Sequence, residues 1–242
     1  IVGGMSYDFY WEDLSDKPFR LITELYFKSM DNLVSYEIDN VRIRYSGEND
    51  AKGYATGLDI RLNGEFVPGA ESWVNLSILS TKESLTGVQH LNYNFDDPEN
   101  PKELEYVPRP TDQFMTLAMF FQDYLPKNDN FKVYLNMAVG TGLPFGIKDD
   151  NKVYRNVFRY KPYHRLDIGF GYQLWKEDWL SDKPFHPLRF AKNAWLSLEV
   201  FNLLEVQNVA SNTWIKTIGS QQFAIPNYLT SRRINLRVRM EF

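Results

Sequence analysis

The last nine residues constrain the fold more than any other part of this chain. Ile234, Leu236, Val238, Met240 and Phe242 interleave with Asn235, Arg237, Arg239 and Glu241 without a break. Successive side chains of a strand point to opposite faces, so this segment reads as a strand with one apolar and one charged face; a helix would scatter both sets around its axis. The period of two recurs upstream. Phe131, Val133, Leu135, Met137 and Val139 alternate with Lys132, Tyr134, Asn136, Ala138 and Gly140. Leu166, Ile168, Phe170, Tyr172 and Leu174 alternate with Arg165, Asp167, Gly169, Gly171 and Gln173. Shorter runs carry the same signature: Leu58, Ile60 and Leu62 around Asp59 and Arg61, Val74, Leu76 and Ile78 beside Trp73, Asn75 and Ser77, and Leu196, Leu198 and Val200 around Ser197 and Glu199. Two segments are less clean. Phe114 and Phe120 stand on the otherwise small or polar side of 114–124, and Thr23 and Ser29 sit among the apolar positions of 20–34.

The pattern predicts an all-β chain with eight long strands, near 20–36, 53–66, 72–83, 112–124, 130–141, 163–175, 194–204 and 231–242. Helical period is nowhere convincing. Val67-Pro68-Gly69-Ala70-Glu71 and Leu125-Pro126-Lys127-Asn128-Asp129 are tight, turn-forming links, whereas 84–111, 142–162 and 205–230 are long. Alternating short and long connections are how an antiparallel outer-membrane barrel reads, with periplasmic turns and extracellular loops. The link 176–193 departs from the rule, being long on the short-turn side. The string Leu-Ser-Asp-Lys-Pro-Phe occurs at 14–19 and again at 180–185, and reads as a reused turn.

A soluble sandwich turns its apolar faces together, and a membrane barrel turns its apolar face to lipid and its polar face to the lumen. Alternation does not separate them, but strand length favours the barrel: sandwich strands average about 5 to 6 residues and membrane strands need about 9 to 11. Aromatic residues at strand ends, Tyr54, Phe66, Trp73, Tyr124, Phe131, Tyr163, Trp175 and Trp195, stand where interfacial girdles are placed. The polar face carries Glu24, Lys28, Asp59, Arg61, Glu65, Lys132, Arg165, Asp167, Glu199, Arg233, Arg237, Arg239 and Glu241, too many charges for a dry core. Turned to lipid, each Lys or Arg would cost about 2 to 4 kcal/mol at the midplane, so these residues are expected to face the lumen. Ile234, Leu236, Val238, Met240 and Phe242 are then lipid-facing.

Composition removes whole classes of function. The formal net charge is −4, leaving no cationic excess to neutralise phosphates, so nucleic acid is not an expected partner. The longest apolar run is Leu117 to Phe121, far short of a membrane-spanning helix, while spanning strands stay open. Zero cysteines exclude disulfides and thiolate chemistry and leave the compartment undecided. Ile1-Val2-Gly3-Gly4 shows neither the basic nor the apolar region of a signal peptide, and the chain reads as a mature product or the C-terminal piece of a longer polypeptide.

Several stretches resemble successive barrel strands of TonB-dependent outer-membrane transporters. They are Glu24-Leu25-Tyr26-Phe27-Lys28, the run from Asp39 to Tyr45, Gly53-Tyr54-Ala55-Thr56-Gly57-Leu58-Asp59, Gly64-Glu65-Phe66-Val67-Pro68-Gly69 with Ser72-Trp73, Gln122-Asp123-Tyr124-Leu125-Pro126, and Gly140-Thr141-Gly142-Leu143-Pro144-Phe145. Glu199-Val200-Phe201-Asn202-Leu203-Leu204 resembles the family's penultimate strand, and Pro226-Asn227-Tyr228-Leu229-Thr230 leads into a final strand ending in Phe242. The resemblance covers most of 19–242 and rests on the order of individually weak motifs. It implies a transmembrane β-barrel of 22 strands, plugged by an N-terminal domain, that imports a siderophore, glycan or similar solute. On that reading 1–18 is a lead-in segment and periplasmic turn, and 19–242 the C-terminal part of the barrel in the cell outer membrane. The implied partners are outer-membrane lipid, the N-terminal strands and plug that this sequence lacks, the TonB complex through that plug, and a surface lipoprotein. The terminal aromatic, Phe242, is implied to be read during assembly. The alternatives are an independent eight-stranded barrel acting as adhesin, anchor or small pore, closed by pairing 20–30 with 233–242, and a soluble ligand-binding sandwich.

Chemistry is sparse. His90, His164 and His186 lack the spacing of a zinc site, Gly140-Thr141-Gly142 with Gly146 lacks dinucleotide spacing, and no Gly-x-Ser-x-Gly elbow occurs. No catalytic residue, metal or cofactor is therefore expected, and the chain is not expected to be an enzyme. The row Arg233, Arg237 and Arg239 is read as salt-bridging plug or lumen carboxylates in preference to binding an anionic solute.

Overall fold

The computed structural model describes residues 1–67, 69–92, 97, 99–125, 128–148, 152–176, 185–186 and 191–241. It is all-β, with no helix among the described residues. In chain order the strands are β1 (Val2–Phe9), β2 (Phe19–Leu33), β3 (Tyr36–Asp39), β4 (Arg42–Tyr45), β5 (Ala51–Val67), β6 (Ala70–Leu85), β7 (His90–Asn92), β8 (Lys102–Leu104), β9 (Val107–Pro108), β10 (Met115–Leu125), β11 (Asn128–Gly140), β12 (Pro144–Phe145), β13 (Phe158–Arg159), β14 (Tyr163–Trp175), β15 (Asn193–Phe201), β16 (Val209–Lys216), β17 (Gln222–Tyr228) and β18 (Arg233–Glu241).

Nine of these form one antiparallel wall in the order β1-β2-β5-β6-β10-β11-β14-β15-β18, with β9 extending the end of β6. The eight predicted strands are all present and in sequence order. The ninth, β1, comes from the segment read as a lead-in: it pairs along β2 from Val2↔Tyr26 to Phe9↔Phe19, leaving only 10–18 as the turn. Gly3, Gly4 and Ser6 dilute its apolar pattern, and Arg20 clamps it from β2 with two bonds to Asp8, at 2.8 and 3.0 Å.

The wall is open. β2 is paired on both edges, by β1 and β5, and β18 is paired on one, by β15. The pairing of 20–30 with 233–242 that would close an eight-stranded barrel is thus absent among the described residues. Nor, among the described residues, does a second sheet stack on the apolar face: Leu236 and Val238 are 66% and 55% exposed, and the remaining sheets are two-stranded hairpins.

Those hairpins all lie at one end. β3–β4, β7–β8, β12–β13 and β16–β17 fill the four long connections, while the opposite end has the turn at Gly69 (φ +81°) and the 10–18 link. Asp39 to Tyr45, which resembled a wall strand, belongs to the β3–β4 hairpin turning at Asn40 (φ 61°). The wall strands stop where asparagine leaves the extended region: Asn32 (φ 55°) interrupts β2 and Asn202 (φ 51°) ends β15.

Burial inverts the order usual in a water-soluble domain. The fully buried apolar side chains are few and mostly small, Phe19, Ala51, Ala70, Leu85, Val107, Ala191 and Ala194, whereas Glu83, Arg155, Asp167, Glu199, Asp112 and His90 are all buried. Large apolar side chains such as Leu25, Phe27, Leu198, Ile234 and Leu236 are exposed.

Candidate functional site

The registers put every residue predicted on the polar face onto one face of the wall. Glu24 lies opposite Asp59, Asp59 opposite Ser77, and Lys28 opposite Ala55. Farther along, Lys132 lies opposite Gly171, Gly171 opposite Ser197 and Ser197 opposite Arg237. Leu198 and Leu236 face each other on the other side, with Leu196 opposite Val238.

The centre of the polar face is the buried carboxylate of Glu199. Its Oε1 accepts from Tyr134 Oη and, at 2.7 Å, from Arg237 Nη2, and its Oε2 accepts from Asn235 Nδ2 at 2.7 Å. On the neighbouring strand β14, Asp167 accepts from Arg165 Nε at 2.8 Å and from the Asn202 N–H at 2.8 Å. Three donors on one carboxylate hold its charge without water, which is what burial at 2% exposure requires. Tyr134 reaches Glu199 because Gly169 lies beneath its ring, where a Cβ would stand 2.0 Å from Tyr134 Cζ.

Around this network is a hollow of about 730 Å³, lined by Trp73, Phe120, Lys132, Tyr134, Trp195 and Phe201 among others. It gathers Lys132, Asp167, Glu199, Arg237 and Arg239 from the predicted set. Glu24, Lys28, Asp59, Arg61 and Arg233 share the face without lining the hollow. Lys132 sits over the rings of Tyr124 and Trp195, 4.9 and 5.3 Å from their centroids, and Arg61 over Trp73 at 6.0 Å. Trp73, Tyr124, Tyr163 and Trp195 therefore stand on the polar face by register, so four of the residues read as a girdle do not belong to the apolar surface. Tyr54 and Phe131 do, stacking on Phe27 and packing on Phe170.

The arginine row resolves within the wall itself. Arg237 pairs with Glu199 and Arg239 with Glu241 at 2.5 Å, and Arg233 has no ion-pair partner among the described residues. Phe242, the last of the predicted lipid-facing set, Pro68, Pro126, Lys127 and 180–184 of the repeated string lie outside the described residues.

The long-loop end holds a second constellation that sequence reasoning missed. Glu83, wholly buried at the tip of β6, binds Arg155 Nε at 2.7 Å and Arg109 Nε at 3.3 Å. Arg155 Nη2 also donates to the Tyr36 carbonyl at 2.8 Å, so one carboxylate joins β6, β9, β3 and the 152–156 turn. His90 adds a neutral link: the Leu85 N–H donates to Nε2 at 3.0 Å, and Nδ1 faces the Lys152 carbonyl at 3.0 Å, which fixes the Nδ1–H tautomer. Burial pushes the His90 ring below its ordinary value, and Arg155 nearby acts in the same direction. Across the same end, Asn40 Oδ1 accepts from Asn227 Nδ2 at 2.7 Å and Thr213 Oγ1 at 3.2 Å, tying the β3–β4 hairpin to β16–β17.

Between these tied loops is a cavity of about 300 Å³. Phe145 and Tyr160 stack at 4.4 Å between centroids, and Trp214 is tilted against Phe145 at 6.5 Å. Burial raises the Tyr160 phenol, so it remains protonated near neutral pH. No pattern in the sequence marks this site, because its residues come from four separate connections and meet only through the hairpins. Among the described residues no three His, Asp or Glu side chains are grouped to hold a metal ion. The chain matches no protein-family model, no curated protein and no solved structure.

Proposed function

We propose that this chain is a section of the wall of a TonB-dependent transporter in the outer membrane, importing a solute past an N-terminal plug and contacting the TonB complex through that plug. The observation that carries the reading is the inverted distribution of residues: an uncovered face of Leu, Ile, Val and Phe on long antiparallel strands, backed by a face of buried, hydrogen-bonded charge. Lipid is the solvent that makes such a surface stable once further strands close the ladder, because a closed ladder leaves no backbone group unpaired in it. The concentration of hairpins at one end, with the turn at Gly69 and the 10–18 link at the other, agrees with extracellular loops and periplasmic turns, the long 176–192 link excepted. Among the described residues β1 and β18 each have one unpaired ladder edge, which further strands of a larger barrel would satisfy. The polar face then borders the lumen and plug, and a surface lipoprotein would meet the hairpin end.

The absence of native cysteine makes a labelling test clean. Ser197→Cys and Leu198→Cys are neighbours on β15 pointing to opposite faces. In intact membranes a water-soluble maleimide should label position 197 and leave 198 protected until the protein is unfolded. Equal labelling of both, or a protein that stays monomeric in plain buffer, would refute the membrane assignment.

A further inference from the structure

The 300 Å³ cavity at the hairpin end has the chemistry of a ligand site. Its lining charges cancel: Asp39 accepts from Arg44 Nη2 at 2.6 Å and lies 3.4 Å from Lys148 Nζ, and Glu37 lies 3.6 Å from Arg155 Nη1. A charged ligand would have to break one of these pairs, and a neutral one would not. The apolar part of the lining combines aliphatic residues, among them Ile38 and Leu143, with three aromatic rings, the Phe145–Tyr160 stack and Trp214. The polar part includes Asn212, only 8% exposed, whose side-chain amide bonds to no described protein group. A buried amide without a protein partner is costly unless water or a ligand completes its bonds. The volume stands at the lower end of the range for small-molecule pockets, enough for one or two rings.

We infer that this cavity binds a neutral, polyhydroxylated ring, that is, a single sugar residue, either free or at the end of a glycan. Its hydroxyls complete the Asn212 amide and the ion-paired side chains. Its C–H face, weakly positive, lies against an aromatic face, which is negative. The walls are pre-organised by the Asn40 to Asn227 and Arg155 to Tyr36 bonds, so little ordering cost falls on binding. The assignment rests on the transporter reading only in making that sugar the cargo.

The test uses the protein isolated in an amine-oxide detergent, so that no sugar headgroup competes, and saturation-transfer NMR with glucose, galactose, mannose and N-acetylglucosamine. Each is offered free and as the terminal residue of a trisaccharide, which separates the two sources. Glucuronate and cyclohexanol serve as the anionic and apolar comparisons. At least one neutral sugar should bind saturably, and Trp214→Ala and Asn212→Ala, checked for intact strand circular dichroism, should each weaken it about tenfold or more. If no neutral sugar binds, if glucuronate or cyclohexanol binds as well as the sugars do, or if neither substitution weakens binding, the ligand assignment fails. Those failures leave the wall reading in place, whereas sugar binding by a protein that needs no detergent would reverse the outcome.

Discussion

Tyr134, Gly169 and Glu199 show how one face of the wall is specified residue by residue. The Tyr134 ring lies over Gly169 on the neighbouring strand, and its hydroxyl donates to a carboxylate on the next. Tyr26 over Gly57 repeats the arrangement on β2 and β5, with a Cβ at 57 standing 2.3 Å from Tyr26 Oη. A ring covering a glycine shields the bare backbone and supplies the packing that glycine lacks. Gly169→Ala should therefore displace Tyr134 and cost about 1 to 3 kcal/mol through overpacking, with Glu199 losing one of its donors as well. Thermal unfolding in detergent measures it. Gly169→Ala made in a Tyr134→Ala background should cost clearly less than in the parent, and strictly additive losses would rule the contact out. The alternation in the sequence reveals which face Tyr134, Gly169 and Glu199 share, but pairing across strands depends on register, which no local pattern encodes.

At the scale of elements, the long strands are legible because burying nothing on one face and charge on the other demands an uninterrupted period of two. Their ends shift by a few residues where Asn32 and Asn202 adopt positive φ, a local choice invisible in hydropathy. β1 escapes notice because glycine and serine break its apolar row, and β3–β4, β7–β8 and β12–β13 because two to four paired residues are too short to show a period. What holds those hairpins together is the Glu83–Arg155–Arg109 knot with His90 beside it, and here a pH dependence follows. The folded site holds His90 neutral, with its folded pKa depressed below the unfolded value of about 6.5. The stability it contributes is then present above about pH 6.5 and is lost as pH falls through the folded value. Acid would add a proton at Nε2, break the Leu85 bond and set a cation beside Arg155, whose charge is met by Glu83, shared with Arg109, and by Glu37 at 3.6 Å. Hydrogen-exchange protection of the Leu85 amide, corrected for intrinsic exchange, should fall between neutral pH and about pH 5. His90→Gln should flatten that fall, and parallel pH profiles for the two proteins would show that His90 has no part in it.

For the whole molecule the decisive question is which solvent touches the exposed apolar face, and the last strand poses it most sharply. Val238 is 55% exposed near the middle of β18, opposite Leu196, with Leu236 beyond it on the same face. In a membrane, Val238→Arg would bring a guanidinium into hydrocarbon at about 2 to 4 kcal/mol, whereas in water the same change would be nearly neutral. The comparison residue must come from the polar face and carry no partner. Arg237 does not qualify, because removing it takes one of three donors from the buried Glu199 carboxylate, a loss of stability unrelated to lipid. Arg233 does: it is exposed, opposite Phe201, and without an ion pair among the described residues. Arg233→Val should leave the heat-modifiable gel mobility of the membrane-inserted protein unchanged, and Val238→Arg should lower the heat-resistant fraction. If arginine at 238 is tolerated as readily as valine at 233, the apolar face does not meet lipid, and a protein surface must cover it instead.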